Sequence, residues 1–285
     1  MRSLRSAKII GEVFRYAKLC VRFSLLSISL QLVTLELVNF LAKLLVGYDL
    51  SGKVIIKVFD GIRLRYRSGQ ATELIHVNKD YEKMPDYVPR QGDVVVDCGA
   101  FVGLYASRVA RMIGSSGLLI SLEPNPVNFK YLLESIRMSN CTNVLPIQVA
   151  LSDFEGLSRL TVDDDRLPSS TGTLEAQRYV SRPAKGPSKT FNCKTTTLDS
   201  LVSQLEIDHV DLVKVDVEGA EYSVLKGAIN LLRKRAVSRW IVEIHSLAEF
   251  NLPMIILLLK TNGYLIDAYS EGFLFAKSFD GQRCG

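Results

Sequence analysis

Carboxylates end several apolar runs of this chain, and the first two have the spacing of a nucleoside pocket. Residues 92–103 read Gly-Asp-Val-Val-Val-Asp-Cys-Gly-Ala-Phe-Val-Gly, so that Asp97 closes the run and Gly99, Phe101, Gly103 and Tyr105 follow it. The unbroken Val94–Val96 suits a strand buried on both faces, as in a parallel sheet, and the glycines let the chain turn tightly into a helix starting near Gly103. Glu123 stands 20 residues beyond Gly103, at the end of the next apolar run, with Asn125 two residues later. A carboxylate placed there accepts hydrogen bonds from both hydroxyls of a ribose.

The loop also discriminates between cofactors. A dinucleotide fingerprint needs G-x-G-x-x-G to cradle a pyrophosphate, whereas this loop is Gly99-x-x-x-Gly103 with Asp97 just before it. A carboxylate repels pyrophosphate and suits a cationic ligand, such as the amino group and sulfonium of S-adenosylmethionine. A nicotinamide-dependent oxidoreductase shares the strand, loop and acid, and the missing glycine pattern counts against it.

A second group of ionisable side chains ends two later runs. In Lys214-Val215-Asp216-Val217-Glu218, extended geometry places Lys214, Asp216 and Glu218 on one face, and in Ile241-Val242-Glu243-Ile244-His245 it does the same for Glu243 and His245. Ligands of open α/β sheets lie outside the carboxyl ends of the strands, so these residues would surround the transferred methyl group. Asp216 and Glu218 are then expected to organise cofactor and acceptor, and His245 to take the acceptor's proton. The bland alternative is that Glu218 and Glu221 complement the dipole of the following helix and His245 caps a strand. A divalent cation suits these ligand types, but their spacing is not diagnostic and no metal site is assigned.

Six segments carry a family resemblance: VVVDCGAFVGLYA (94–106), LEPNPVNFKYLLESI (122–136), VALSDFEG (149–156), TTTLDSL (195–201), KVDVEGAEYSVLKGA (214–228) and IVEIH (241–245). In this order they resemble the FkbM-type family of S-adenosylmethionine-dependent methyltransferases. The resemblance implies a Rossmann-like class I methyltransferase fold, S-adenosylmethionine as cofactor, and O-methylation of a hydroxyl on a glycan, lipid-linked or other small-molecule acceptor. It places Asp153 near the adenine; together with the loop and strand-end readings this sets Asp97, Gly99, Phe101, Gly103, Tyr105, Glu123, Asn125 and Asp153 as the residues expected at the cofactor, and Asp216, Glu218, Glu243 and His245 as those expected at the chemistry. Cys98 is read as packing. A noncatalytic, membrane-associated binding module on the same fold is the remaining alternative.

The elements that must position these residues alternate in type. Strand-like runs at 93–97, 118–122, 144–149, 210–217 and 239–245 alternate with helix-period segments at 104–113, 127–138, 220–233 and 248–261, the pattern of βαβ units and a mostly parallel sheet with helices on both faces. Tyr264–Tyr269 and Phe273–Phe279 predict two closing strands joined at Glu271-Gly272, the last reversed. Residues 53–78 hold two β-branched runs separated by Asp60-Gly61, a strong hairpin signal. Residues 163–190, with Asp163–Asp165, three prolines and a Ser/Thr/Gly cluster, read as a loop or loose hairpin. Three regions follow: a helical segment at 1–50, a hairpin cover at 51–90 and the methyltransferase domain at 91–285.

Charge and cysteine usage bound the setting. The formal net charge of +5 resides in residues 1–22, which carry six basic residues against Glu12, and 29 basic and 29 acidic residues remain elsewhere. A balanced catalytic region argues against a nucleic-acid substrate. Five scattered cysteines form no C-x-x-C pair, which fits a reducing, cytoplasmic setting. The apolar stretch from Phe23 to Val46 is interrupted by Glu36 and Lys43, and a mid-helix charge costs about 2.5–3.5 kcal/mol on insertion scales. An amphipathic helix is therefore expected over 1–47, either packed on the domain or held peripherally at the inner membrane face.

Overall fold

Two β-branched runs pair as an antiparallel hairpin, β1 (Val54–Phe59) against β2 (Ile62–Arg67), with Phe59 opposite Ile62. The computed structural model describes residues 54–59, 62–67, 80–162, 172–174, 188–245 and 252–279. The expected helical segment at 1–50 and most of the 163–190 loop lie outside them. Among the described residues no helix is long and apolar enough to cross a membrane.

Apolar strands and amphipathic helices then alternate as expected: β3 (Val94–Cys98), α1 (Leu104–Ile113), β4 (Leu118–Leu122), α2 (Pro126–Met138) and β5 (Val144–Ile147). Four strands follow, β6 (Ala150–Leu151), β7 (Gly156–Val162), β8 (Gly172–Leu174) and β9 (Lys189–Thr196). The chain continues through α3 (Leu198–Gln204), β10 (Val210–Val215), α4 (Glu221–Lys226), α5 (Ile229–Lys234), β11 (Val237–Glu243), α6 (Leu252–Thr261), β12 (Tyr264–Ser270) and β13 (Phe273–Ser278).

Seven strands form the main sheet in the order β5-β4-β3-β10-β11-β13-β12. Every neighbouring pair is parallel except those made by β13, which runs against both β11 and β12. Glu271 and Gly272 both have positive φ, matching the right-handed twist of the two strands they join. Alternate residues of each central strand enter two separate cores. Val96, Ile120, Val213, Trp240 and Val242 pack under α3 to α6, while Val95, Leu119, Leu212 and Ile241 pack under α1 and α2. Burial on both faces explains the unbroken apolar run Val94–Val96 of β3.

Three expectations need correction. The helix-period stretch 220–233 is two short helices, because the chain turns at Gly227, where a Cβ would lie 2.0 Å from the Ser152 carbonyl. The 163–190 stretch is flanked by a second sheet of order β6-β9-β7-β8, in which β7 and β9 pair antiparallel from Gly156 opposite Thr195 to Val162 opposite Lys189. Those strands hold mixed polar and threonine-rich sequence, so their pairing does not register as an apolar run. The extended geometry expected through Glu218 stops at Val215.

A short 3-10 turn at Asp80–Glu82 lies against the main body, tied by Glu82 to Arg108 of α1 at 2.6 Å. It carries Tyr81, 5% exposed, into edge-on contact with Tyr105 and Phe273.

Candidate active site

The sheet changes direction between β3 and β10: the chain builds outward from β3 to β5, then returns to lay β10 on the other side of β3. Ligands of such sheets bind where the strand order reverses, outside the carboxyl ends. Both groups of residues singled out in the sequence lie there. The Asp216 N–H donates to the Cys98 carbonyl at 3.0 Å, and Gly99, at φ 83°, packs so closely that a Cβ would fall 1.8 Å from the Asp216 carbonyl oxygen. The Gly103 Cβ position lies 2.7 Å from Leu132 of α2. Both glycines therefore serve close packing of protein on protein, which draws the loop down onto β10 and α2.

Glu123 ties the loop to the next strand. Its Oε2 accepts from the Phe101 N–H at 2.9 Å, and its Oε1 accepts from the Asn125 N–H at 2.9 Å and Asn128 Nδ2 at 3.2 Å. Burial raises its pKa to about 7, against the pull of these hydrogen bonds. Two carboxylate oxygens accept about four hydrogen bonds, so capacity for a ribose hydroxyl remains. Phe101 holds a left-handed backbone at φ 51°, and the Asn125 side chain caps α2 by accepting from the Val127 N–H.

The loop region fits a polar ligand. Asp97 Oδ2, the Tyr105 hydroxyl and Asn125 Nδ2 are all buried and lack a hydrogen-bond partner among the described residues. Buried polar atoms are nearly always satisfied, so three orphans around one loop mark where donors and acceptors of a bound molecule belong. The other oxygen of Asp97 is not available to a cationic ligand, because Oδ1 lies 3.0 Å from Lys214 Nζ.

Lys214 joins the loop to the second group. Its ammonium is 3.0 Å from Asp97 Oδ1, 3.0 Å from the Gly99 carbonyl and 3.2 Å from Asp216 Oδ2, one acceptor for each proton. Burial opposes its charge, but Asp97 and Asp216 override it and hold the pKa above the usual lysine range. The rings of Tyr81 and Tyr105 lie 5.1 and 5.6 Å from Nζ.

Asp216, Glu218, Glu243 and His245 do meet, though not by strand alternation. After β10 the chain bends, Glu218 adopts a left-handed backbone at φ 55°, and α4 begins at Glu221. His245 Nε2 stands 3.6 Å from Asp216 Oδ1, 3.6 Å from Glu218 Oε1 and 3.9 Å from Glu243 Oε1. On its other side, Nδ1 is 2.8 Å from Oε1 of the fully buried Glu221, which also accepts from the Gly219 N–H. Burial opposes the imidazolium, but Glu221, Asp216 and Glu218 raise the pKa of His245 to about 10. Burial and then Asp216 raise Glu243 to about 7.

Sequence reasoning missed Tyr81. Its hydroxyl lies 2.8 Å from Asp216 Oδ2 and 2.5 Å from Glu243 Oε2, bridging the ends of β10 and β11. Nothing in Asp80-Tyr81-Glu82 signals this, since the partners are 135 and 162 residues away. Asp153, expected near the adenine, stands after β6 with its Oδ2 2.5 Å from Lys226 Nζ. Cys98 is 1% exposed and burial pushes its thiol pKa up, as packing requires.

A sheet with strand order β5-β4-β3-β10-β11-β13-β12, reversed only at β13 and bearing an acidic cluster at the switch point, is that of a Rossmann-like class I methyltransferase. The Methyltransferase FkbM domain matches residues 97–266, and the chain belongs to this family, whose cofactor is S-adenosylmethionine. It is similar to the hexuronic acid methyltransferase AglP of Haloferax volcanii, 31% identical over 156 residues that cover 55% of this chain and 57% of that protein. It is also similar to methyltransferase sdnD of Sordaria araneosa, 26% identical over 172 residues that cover 51% of this chain and 66% of that one. The matched stretch thus spans less than two thirds of the length of these relatives. Among solved structures, Aeropyrum pernix fibrillarin with bound S-adenosyl-L-methionine matches at TM-score 0.43 and 16% identity, over 82% of this chain and 86% of that one.

Proposed function

We propose that this chain transfers the methyl group of S-adenosylmethionine to a hydroxyl oxygen of a small-molecule, glycan or lipid-linked acceptor, in a cytoplasmic setting. The observation that carries this reading is that Lys214 spans from the loop to the cluster, touching Asp97 and Gly99 on one side and Asp216 on the other. Cofactor and acceptor would therefore meet across one buried ammonium group.

When bound, the cofactor supplies a methyl group open to in-line attack. In this reading Asp97 Oδ2, Asn125 Nδ2, the Tyr105 hydroxyl and Glu123 hold its polar groups, and Asp153 borders its adenine end. The acceptor hydroxyl enters beside Asp216, Glu218, Glu243 and His245, which orient it, and a carboxylate among them receives its proton. His245 is a poor choice for that proton, because carboxylates on both sides hold the imidazole in its cationic form. The carboxylates of Asp216, Glu218 and Glu243 are the better acceptors. A sugar acceptor is supported by the likeness to a hexuronic acid methyltransferase.

Calorimetric titration of S-adenosylmethionine, S-adenosylhomocysteine and NAD into the purified chain, with Glu123→Ala alongside, tests the cofactor half. Saturable binding of the first two, weakened in the variant, is the expected result and leads to an acceptor screen beginning with glycans and lipid-linked sugars. Binding of NAD alone sinks the proposal in favour of an oxidoreductase.

A further inference from the structure

We infer that Asp216, Glu218 and His245 form a site for one divalent cation of the Mg2+ or Mn2+ class, which holds two neighbouring oxygens of the acceptor; the second clause rests on the methyl-transfer reading above. One ligand atom from each residue lies within 4.8 Å of the others. His245 Nε2 is 3.6 Å from an oxygen of Asp216 and 3.6 Å from one of Glu218, beyond hydrogen-bond range in both cases. Ligands on a cation with bonds of about 2.1–2.4 Å sit about 3–4.5 Å apart, so the spacing is that of a shared coordination sphere.

Glu221 gives the independent indication. It is fully buried behind the imidazole, with Oε1 2.8 Å from Nδ1 and Oε2 without any hydrogen-bond partner. A ligating histidine characteristically donates its other ring N–H to a carboxylate, which fixes the tautomer and turns the second nitrogen to the metal. A buried carboxylate also needs a countercharge, and Lys214 is already engaged by Asp97, Gly99 and Asp216. A cation on Nε2 supplies that charge through the ring.

The surroundings orient the ligands. Tyr81 and Lys214 both bind Asp216 Oδ2, which leaves Oδ1 facing His245. Three protein ligands leave positions for outside oxygens. Adjacent hydroxyls of a sugar, or a hydroxyl beside the carboxylate of a uronic acid, match two of them. An anionic sugar would otherwise be repelled by the carboxylates around it.

The site is tested by titrating Mn2+ into the full chain without cofactor or acceptor and reading free Mn2+ by electron paramagnetic resonance. One ion per chain is expected, with Glu218→Gln and His245→Gln weakening binding at least tenfold and the buried Glu221→Gln weakening it by about 10–100-fold. Thermal unfolding confirms that each variant is folded; should Glu221→Gln fail, the other two decide. No stoichiometric binding by the wild type, or wild-type affinity in folded Glu218→Gln and His245→Gln, overturns the site. Methyl transfer from S-adenosylmethionine to a methyl hexuronide and a methyl hexoside is then followed with and without EDTA. Loss on chelation and recovery with Mn2+ is expected, and undiminished transfer in EDTA overturns the cation's part in holding the acceptor. Intact Mn2+ binding with no transfer to any acceptor overturns the methyl-transfer reading and leaves the cation site standing.

Discussion

Lys214 and Asp97 form a buried ion pair, 3.0 Å from Nζ to Oδ1, with neither side chain exposing more than 3% of its surface. The pair links neighbouring strands across the point where the sheet reverses. Because the same ammonium also holds the Gly99 carbonyl and Asp216, its loss should disturb fold and site together. Lys214→Met leaves Asp97 buried without a partner and should cost about 3–5 kcal/mol in urea unfolding. The Lys214→Met, Asp97→Asn double variant should recover part of that loss, since position 97 then carries no buried charge; strictly additive losses would contradict the pairing.

Glu123 makes stability depend on pH in a direction unusual for a carboxylate. Burial raises its pKa from 4.5 to about 7, so the folded state binds the proton more tightly than the unfolded chain. The resulting destabilisation is absent below about pH 4.5, grows as pH rises, and is complete above about pH 7, where it amounts to about 3 kcal/mol at 1.4 kcal/mol per pH unit. Glu123→Gln should be less stable throughout, because an amide nitrogen would face the N–H donors of Phe101 or Asn125. Its deficit against wild type should nevertheless shrink between pH 4.5 and 7.5, as read from unfolding curves across that range. A pH-independent deficit would refute the ionisation argument.

Tyr81→Phe separates packing from the bridge. The ring contacts with Tyr105 and Phe273 survive, while the hydroxyl between Asp216 and Glu243 is lost. Hydrogen bonds to charged groups are worth about 1.5–3 kcal/mol, so turnover should fall roughly 10- to 100-fold. Affinity for S-adenosylmethionine should stay within about twofold of wild type, because Tyr81 stands on the acceptor side in this reading. Equal losses in both would place the tyrosine at the cofactor.

Gly99→Ala and Gly219→Ala form a matched pair of backbone tests. Both positions have positive φ, but a Cβ at Gly99 meets the Asp216 carbonyl at 1.8 Å, whereas one at Gly219 meets nothing within 4 Å. Gly219→Ala should cost only the left-handed strain of about 1–2 kcal/mol. Gly99→Ala should cost more than about 3 kcal/mol or prevent folding, since β3 and β10 must part to admit the methyl. Thermal unfolding of the two variants gives the comparison.

Much of the scaffold was legible in the sequence because its signals are local. Val94–Val96 announces a doubly buried strand, Asp60-Gly61 announces the pairing of the runs on either side, Glu271-Gly272 announces a two-residue turn, and Glu123 falls at a strand end by counting from the loop. The strand and the turn depend on residues within a few positions, where turn chemistry and apolar period act, and the place of Glu123 depends on the length of one helix and one strand. The convergence of Asp216, Glu218, Glu243 and His245 was legible only as two strand ends. Strand alternation put Glu218 on the right side for the wrong reason, since a left-handed turn carries it there.

What the sequence determined by itself was the alternation of strands and helices in the main sheet, the glycine-bearing turn after β3 and the acids that end the strands, all set by short-range periodicity and backbone sterics. Tertiary structure alone decided the partners of those acids. Lys214 finds Asp97 across 117 residues, Tyr81 finds Glu243 across 162, and Glu221 comes to stand behind His245 through the bend that follows β10. Which charges meet depends on the register of neighbouring strands and the docking of a distant turn. Both follow from how two cores close on the sheet, and no local pattern of residues encodes them.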